Sequence, residues 1–178
     1  FYAPAQAAEN LAAMVDDVAL AVQIAPENEA LNALNASMAE RKAAFIEKQQ
    51  AKVDAGTWPQ RSAFDGPGSA AAIEKAAMEI LRNDKAWGKN PKRPQEILAV
   101  VVQGPWQEAE WNLLGQVVSW RVPMKVAITD AKLKPQGVAQ VFDISMVTPA
   151  GAAGRAPGLP FDGAWVGGNY YMRIAKLP

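Results

Sequence analysis

Residues 117–129 read Val-Val-Ser-Trp-Arg-Val-Pro-Met-Lys-Val-Ala-Ile-Thr. Val118, Trp120, Val122, Met124, Val126 and Ile128 share one parity, and Val117, Ser119, Arg121, Lys125 and Thr129 share the other. Side chains alternate between the two faces of a strand, so this pattern predicts a long strand with one apolar face. Pro123 falls on the polar parity. Having no N–H to give to a neighbour, it predicts an edge position or a bulge that bends the strand.

Further along the chain, 138–147 is a second alternating segment, bounded by Lys134-Pro135-Gln136-Gly137 and by Pro149. There Phe142, Ile144 and Met146 point one way, and Asp143 and Ser145 the other. Gly167-Gly168-Asn169 reads as the tight turn of a final hairpin between Trp165-Val166 and a strand at 170–174. The intervening 149–163 is rich in Gly, Ala and Pro, a loop that is either mobile or held by something else. Upstream, the apolar run 97–102 predicts a strand covered on both faces.

Before residue 96 the period is helical. Leu11, Val15, Val18 and Val22 mark a helix near 5–24. Pro26, Glu27 and Glu29 predict the first turn of a second helix, with Leu31, Leu34, Met38, Phe45 and Val53 inward and Gly56 as its stop. Lys42 and Gln49 interrupt that apolar face. A third helix starts at a Ser69 cap, with Ile73, Ala77, Ile80 and Leu81 inward, and ends at Gly88 or Pro91. Helices followed by strands predict an α+β fold: an N-terminal helical hairpin plus a third helix packed on one face of a curved antiparallel sheet of about four to six strands. The expected organisation is a single domain over 1–178, with the hairpin at 1–56, a loop at 57–68, a helix and basic linker at 69–95, and the sheet at 96–178.

Composition narrows the chemistry. The 178 residues carry balanced charge and contain neither Cys nor His. Thiolate nucleophiles, disulfides and thiolate metal sites are therefore excluded, and so is the commonest general base. No metal or cofactor site and no catalytic motif is expected. The glycines at 104 and at 151–154 lack the spacing of phosphate loops. Glu108 and Glu110 would share one strand face, which a solvated edge explains. Lys85, Lys89, Lys92 and Arg93 surround Trp87, but a neutral chain with so short a cluster is not expected to bind nucleic acid. No apolar run approaches the roughly 18 residues of a membrane span. The start, Phe-Tyr-Ala-Pro-Ala-Gln-Ala-Ala, suits the region after a signal-peptidase cut, and a Cys-free chain tolerates an oxidising compartment. Export to a periplasm or organelle lumen is expected, with a cytoplasmic location also open.

The candidate site residues follow. Asp143, a carboxylate within an apolar strand, needs a partner such as Arg121 or Arg173. Trp106 and Trp111 flank a polar, turn-like stretch, either as exposed anchors or as a lid over the core. Trp120, Phe142, Met146 and Tyr170 are candidate walls of an aromatic-lined cavity. Lys42, Gln49, Arg155, Leu159 and Phe161 are candidate contacts for a protein partner. The expected function is a non-catalytic interaction protein, such as an accessory subunit of a larger exported assembly. The alternatives are a small-molecule-binding domain and an enzyme that relies on carboxylates.

Overall fold

The computed structural model describes residues 4–155 and 160–178, with side chains from Glu9 onward. The chain divides into two compact units, 1–56 and 57–178. In the first, α1 (Pro4–Ile24) packs against α2 (Glu29–Ala55) as a helical hairpin. Pro26 lies in the connecting turn rather than in the first turn of α2, because Asn28 takes the cap: its side-chain oxygen accepts the Leu31 N–H at 3.1 Å. Gly56 closes α2 by donating to the carbonyls of Lys52 and Val53. On α2, Met38, Gln49 and Val53 are buried, whereas Phe45, expected inward, is exposed and Ile46 is half-buried in its stead.

In the second unit, α3 (Ala70–Asn83) precedes five antiparallel strands: β1 (Glu96–Val102), β2 (Gln107–Trp111), β3 (Val117–Thr129), β4 (Val138–Pro149) and β5 (Gly163–Arg173). The order is β1-β3-β4-β5, with β2 also pairing β3 beyond the end of β1. The sheet is open. The α+β class and a helix on one sheet face stand as expected. Ser69 caps α3 through the Ala72 N–H. The helix ends earlier than expected, at Asn83, because the Asp84 carboxylate accepts the Ala86 N–H and Gly88 folds back to donate to the Leu81 carbonyl.

The apolar parity of β3 forms the core. Val122, Met124, Val126 and Ile128 lie with Ile144 and Met146 of β4 beneath Ile73, Ala77 and Leu81 of α3. Trp87 meets Phe142 edge to face at 5.4 Å, so the aromatic of the basic linker is a core residue. A smaller cluster on the opposite face joins Ala99, Ala127, Ala139, Val141 and Met172 beneath Trp58 and Leu177. That second cluster explains why Ala127 on the polar parity is fully buried, while Thr129, also buried there, gives its hydroxyl to the Val138 carbonyl.

Three local expectations are corrected by the strand pairing. Pro123 sits in a central strand, not at an edge, and its pairing with Ser145 of β4 is unbulged. Its carbonyl accepts the Gln103 N–H at 2.8 Å on the side where the chain passes from β1 to β2. In an antiparallel strand a residue's N–H and C=O face the same neighbour, so the missing donor falls at that gap and costs β4 no hydrogen bond. Gly167 and Gly168 form no hairpin turn: β5 runs continuously through them, and between the pairs Phe142–Asn169 and Ile144–Val166 they oppose Asp143 alone, a β-bulge. Residues 107–111, expected to be turn-like, are strand β2, and 112–116 reverse the chain into β3.

Two acidic residues are buried in ion pairs. Glu74 of α3 is held by Arg61, whose Nε and Nη2 donate at 2.8 and 2.5 Å, and it also accepts the Val102 N–H at the end of β1. Asp130, after β3, receives Arg93 Nε at 2.6 Å and the N–H groups of Lys132 and Leu133. Burial raises its pKa, but those amides and the guanidinium outweigh burial and leave it below the ordinary carboxyl value. A depressed carboxyl adds stability above its unfolded pKa of about 3.9, and that stability is lost as the pH falls through the lower folded value. Asp130→Asn is therefore expected to lower stability by about 1–3 kcal/mol at neutral pH, the gap to wild type closing as the pH drops below about 4. Urea unfolding at several pH values measures this; a pH-independent gap would contradict the assignment. Gly66 lies beneath Trp106 with φ +129°, and an added Cβ would come within 2.5 Å of the indole. Gly66→Ala is expected to cost about 2–4 kcal/mol, read as a lowered denaturation midpoint.

Candidate functional site

The strand registers decide which polar side chains meet. Arg121, Pro123 and Lys125 of β3, Asp143 and Ser145 of β4, and Trp165 of β5 all lie on the sheet face away from α3. With Gln103, Met124, Ile144, Val166 and Gly167 they line a depression of about 390 Å³, open to solvent. The Gly167–Gly168 bulge shapes its floor: without side chains there, the Asp143 carboxylate stands clear, with its Oδ2 3.3 Å from the point a Cβ on Gly168 would occupy.

Asp143 pairs with Lys125 directly across the β3–β4 ladder, not with Arg121 or Arg173 as expected. Lys125 Nζ also lies 5.1 Å from the centre of the Tyr170 ring. Tyr170 donates its phenol to the Thr57 carbonyl at 2.8 Å; burial first, then the nearby Asp143 charge, raises its pKa. Arg121 stands apart. Its guanidinium lies 5.8 Å from the Trp165 ring centre, no carboxylate among the described residues pairs with it, and its Nε is shielded from solvent without a hydrogen-bond acceptor.

The other expected site residues disperse. Trp120, Phe142 and Met146 face α3, on the opposite side of the sheet from Tyr170, so these four do not form one cavity wall. Trp120 Nε1 donates to the Gly154 carbonyl at 2.8 Å. Trp106 is buried against Phe161 and donates to the Pro67 carbonyl. Phe161, a supposed partner contact, is therefore a core residue. Trp111 is exposed, its Nε1 bonded to Glu108. In α2, Lys42 is half-buried, and Gln49 is buried with its Oε1 unbonded among the described residues. Arg155 is exposed, and Leu159 lies outside the described residues. The described ends of the 149–163 loop are held by the chain itself, through Ala150 N–H to the Val118 carbonyl and Thr148 Oγ1 to the Pro160 carbonyl.

Lys125, Ser145 and Trp165 were not expected at the site. Their signal lay in register: a hairpin centred on Lys134 sets Lys125 opposite Asp143. A further feature, the hairpin tip, was also overlooked. Leu113 and Leu114 are almost fully solvent-exposed, at 105% and 82%, and Trp111 and Val118 flank them at 55% and 42%. The Asn112 side chain orders the turn by accepting the N–H groups of Leu114 and Gln116. Comparison with protein-family models, curated proteins and solved structures finds no match to this chain.

The Lys125–Asp143 pair is partly exposed, with the Asp143 side chain 53% accessible, so solvent screening limits its contribution to the fold. Lys125→Ala and Asp143→Ala are each expected to change unfolding free energy by less than about 1 kcal/mol. A larger loss in chemical denaturation would mean that this face is structural.

Proposed function

We propose that the chain is a non-catalytic interaction protein that docks an apolar pocket of a protein partner through the β2–β3 hairpin tip. One observation carries this reading: four large apolar side chains are presented to water on one short hairpin, two of them at its tip. An exposed apolar patch is the usual mark of a contact surface, and aromatic anchors are common at its centre. Docking by side chains fits this hairpin better than addition of a strand. The β2 edge carries two register shifts against β3, and bulged edges are poor templates for pairing.

Charge favours a protein over an anionic membrane. Residues 107–118 contain Glu108 and Glu110 and no Lys or Arg, so a negative lipid surface would repel the approach. A partner pocket rimmed by basic groups would complement it. An accessory subunit in an exported compartment is the setting we propose, supported only by the absence of cysteine.

The test pairs wild type with the double variant Leu113→Asp, Leu114→Asp. Both positions are exposed, so the fold is expected to persist, with a thermal midpoint close to that of wild type. Affinity isolation from the native source is expected to recover one stoichiometric protein with wild type and at least tenfold less with the variant. Equal recovery by the two proteins, recovery of none by either, or tip-dependent binding to lipid vesicles in place of protein would each overturn the proposal.

A further inference from the structure

We propose that the open sheet face at Arg121 and Trp165 binds a small carboxylic acid with a flat apolar body. Two other arginines of this unit, Arg61 and Arg93, each hold a carboxylate. Arg61 gives Nε to one oxygen and Nη2 to the other oxygen of the Glu74 carboxylate, whereas Arg93 brings its Nε and Nη2 to a single oxygen, Oδ2, of Asp130. The side-on fork that Arg61 makes matches a carboxylate in a plane and is the strong form of the ion pair. Arg121 has the same fork and no acid among the described residues to fill it. Its Nε–H is shielded from water and unbonded, a state that a native structure ordinarily avoids.

Local charge sets the valence of the missing partner. Lys125 is neutralised by Asp143, so the depression carries one uncompensated positive charge, that of Arg121. A monoanion matches it. A doubly charged phosphoryl group would normally find more cations or a nest of backbone N–H groups. The walls select the body. Trp165 and Pro123 supply apolar side chains on this face, and Ser145 a hydroxyl, around a volume of about 390 Å³ in the range of small-molecule sites. Trp165 is 41% exposed and belongs to the outer strand, so its ring can turn from covering Arg121 to lying against the ligand.

The probe is naphthoate, with naphthamide as its neutral isostere, titrated into the intact chain by calorimetry while tryptophan fluorescence is followed. Naphthoate is expected to bind saturably with Kd of roughly 0.1–1 mM. Naphthamide should bind at least tenfold more weakly. Arg121→Gln is expected to lose naphthoate binding by tenfold or more while keeping the wild-type thermal midpoint, and Arg121→Lys to lose part of it, because an ammonium cannot form the side-on fork. If Arg121→Gln fails to fold, Trp165→Ala at the exposed rim takes its place, with the same loss of affinity expected. The proposal is overturned if wild type shows no saturable naphthoate binding, if naphthamide binds as well as naphthoate, if the folded variants bind like wild type, or if inorganic phosphate binds where naphthoate does not.

Discussion

The structure depends on the two-sided hydrogen bonding of β3. Along one edge that strand pairs first with β2 and then with β1, and along the other it pairs with β4 over most of its length. Its apolar parity lies beneath α3, so a slip by one residue would carry Val122, Met124, Val126 and Ile128 out of the core and Arg121 and Lys125 into it. Burial thus locks the register, and the register in turn decides every cross-strand neighbour. Pro123 fits this strand only because its missing donor meets the gap between β1 and β2. The corner between those strands is a consequence of the central strand.

Much of this fold could be read from the chain. Strict alternation over residues 117–129 and again after Gly137 gave the central strands, because one buried face leaves a period of two that nothing else mimics. Ser69 and Gly56 marked helix ends through local chemistry. The errors arose where local signals have two structural outcomes. Adjacent glycines suit a tight turn and a bulge equally, and only the pairing of β4 with β5 settles which one forms at Gly167–Gly168. Trp-Gln-Glu-Ala-Glu-Trp looked like a turn because a strand exposed on both faces has no apolar parity to show.

The candidate site was less legible, for a related reason. Arg121 and Asp143 stood out as charges within strands, and both line the depression. Which acid met which base was a matter of register and packing: Lys125 took Asp143, Arg93 took Asp130 and Arg61 took Glu74. Two arginines and a lysine take these three acids, and Arg121 is left over with an indole. Trp120, Phe142 and Met146 were grouped with Tyr170 by residue type, but the sheet sends them to its other face. Aromatic content alone does not locate a cavity.

The central claim is that a locked core of β3, β4 and α3 supports two exposed surfaces, the hairpin tip and the Arg121 face, that the fold itself does not require. Residue-resolved amide hydrogen exchange tests it most directly, since it separates groups that open locally from those that open only with the whole unit. The slowest exchange is expected at the β3 and β4 amides around Val122, Met124, Val126, Ile144 and Met146, with Leu113, Leu114 and the Gly167–Gly168 bulge exchanging orders of magnitude faster. Comparable protection at the tip and bulge, or ready exchange along β3, would contradict it.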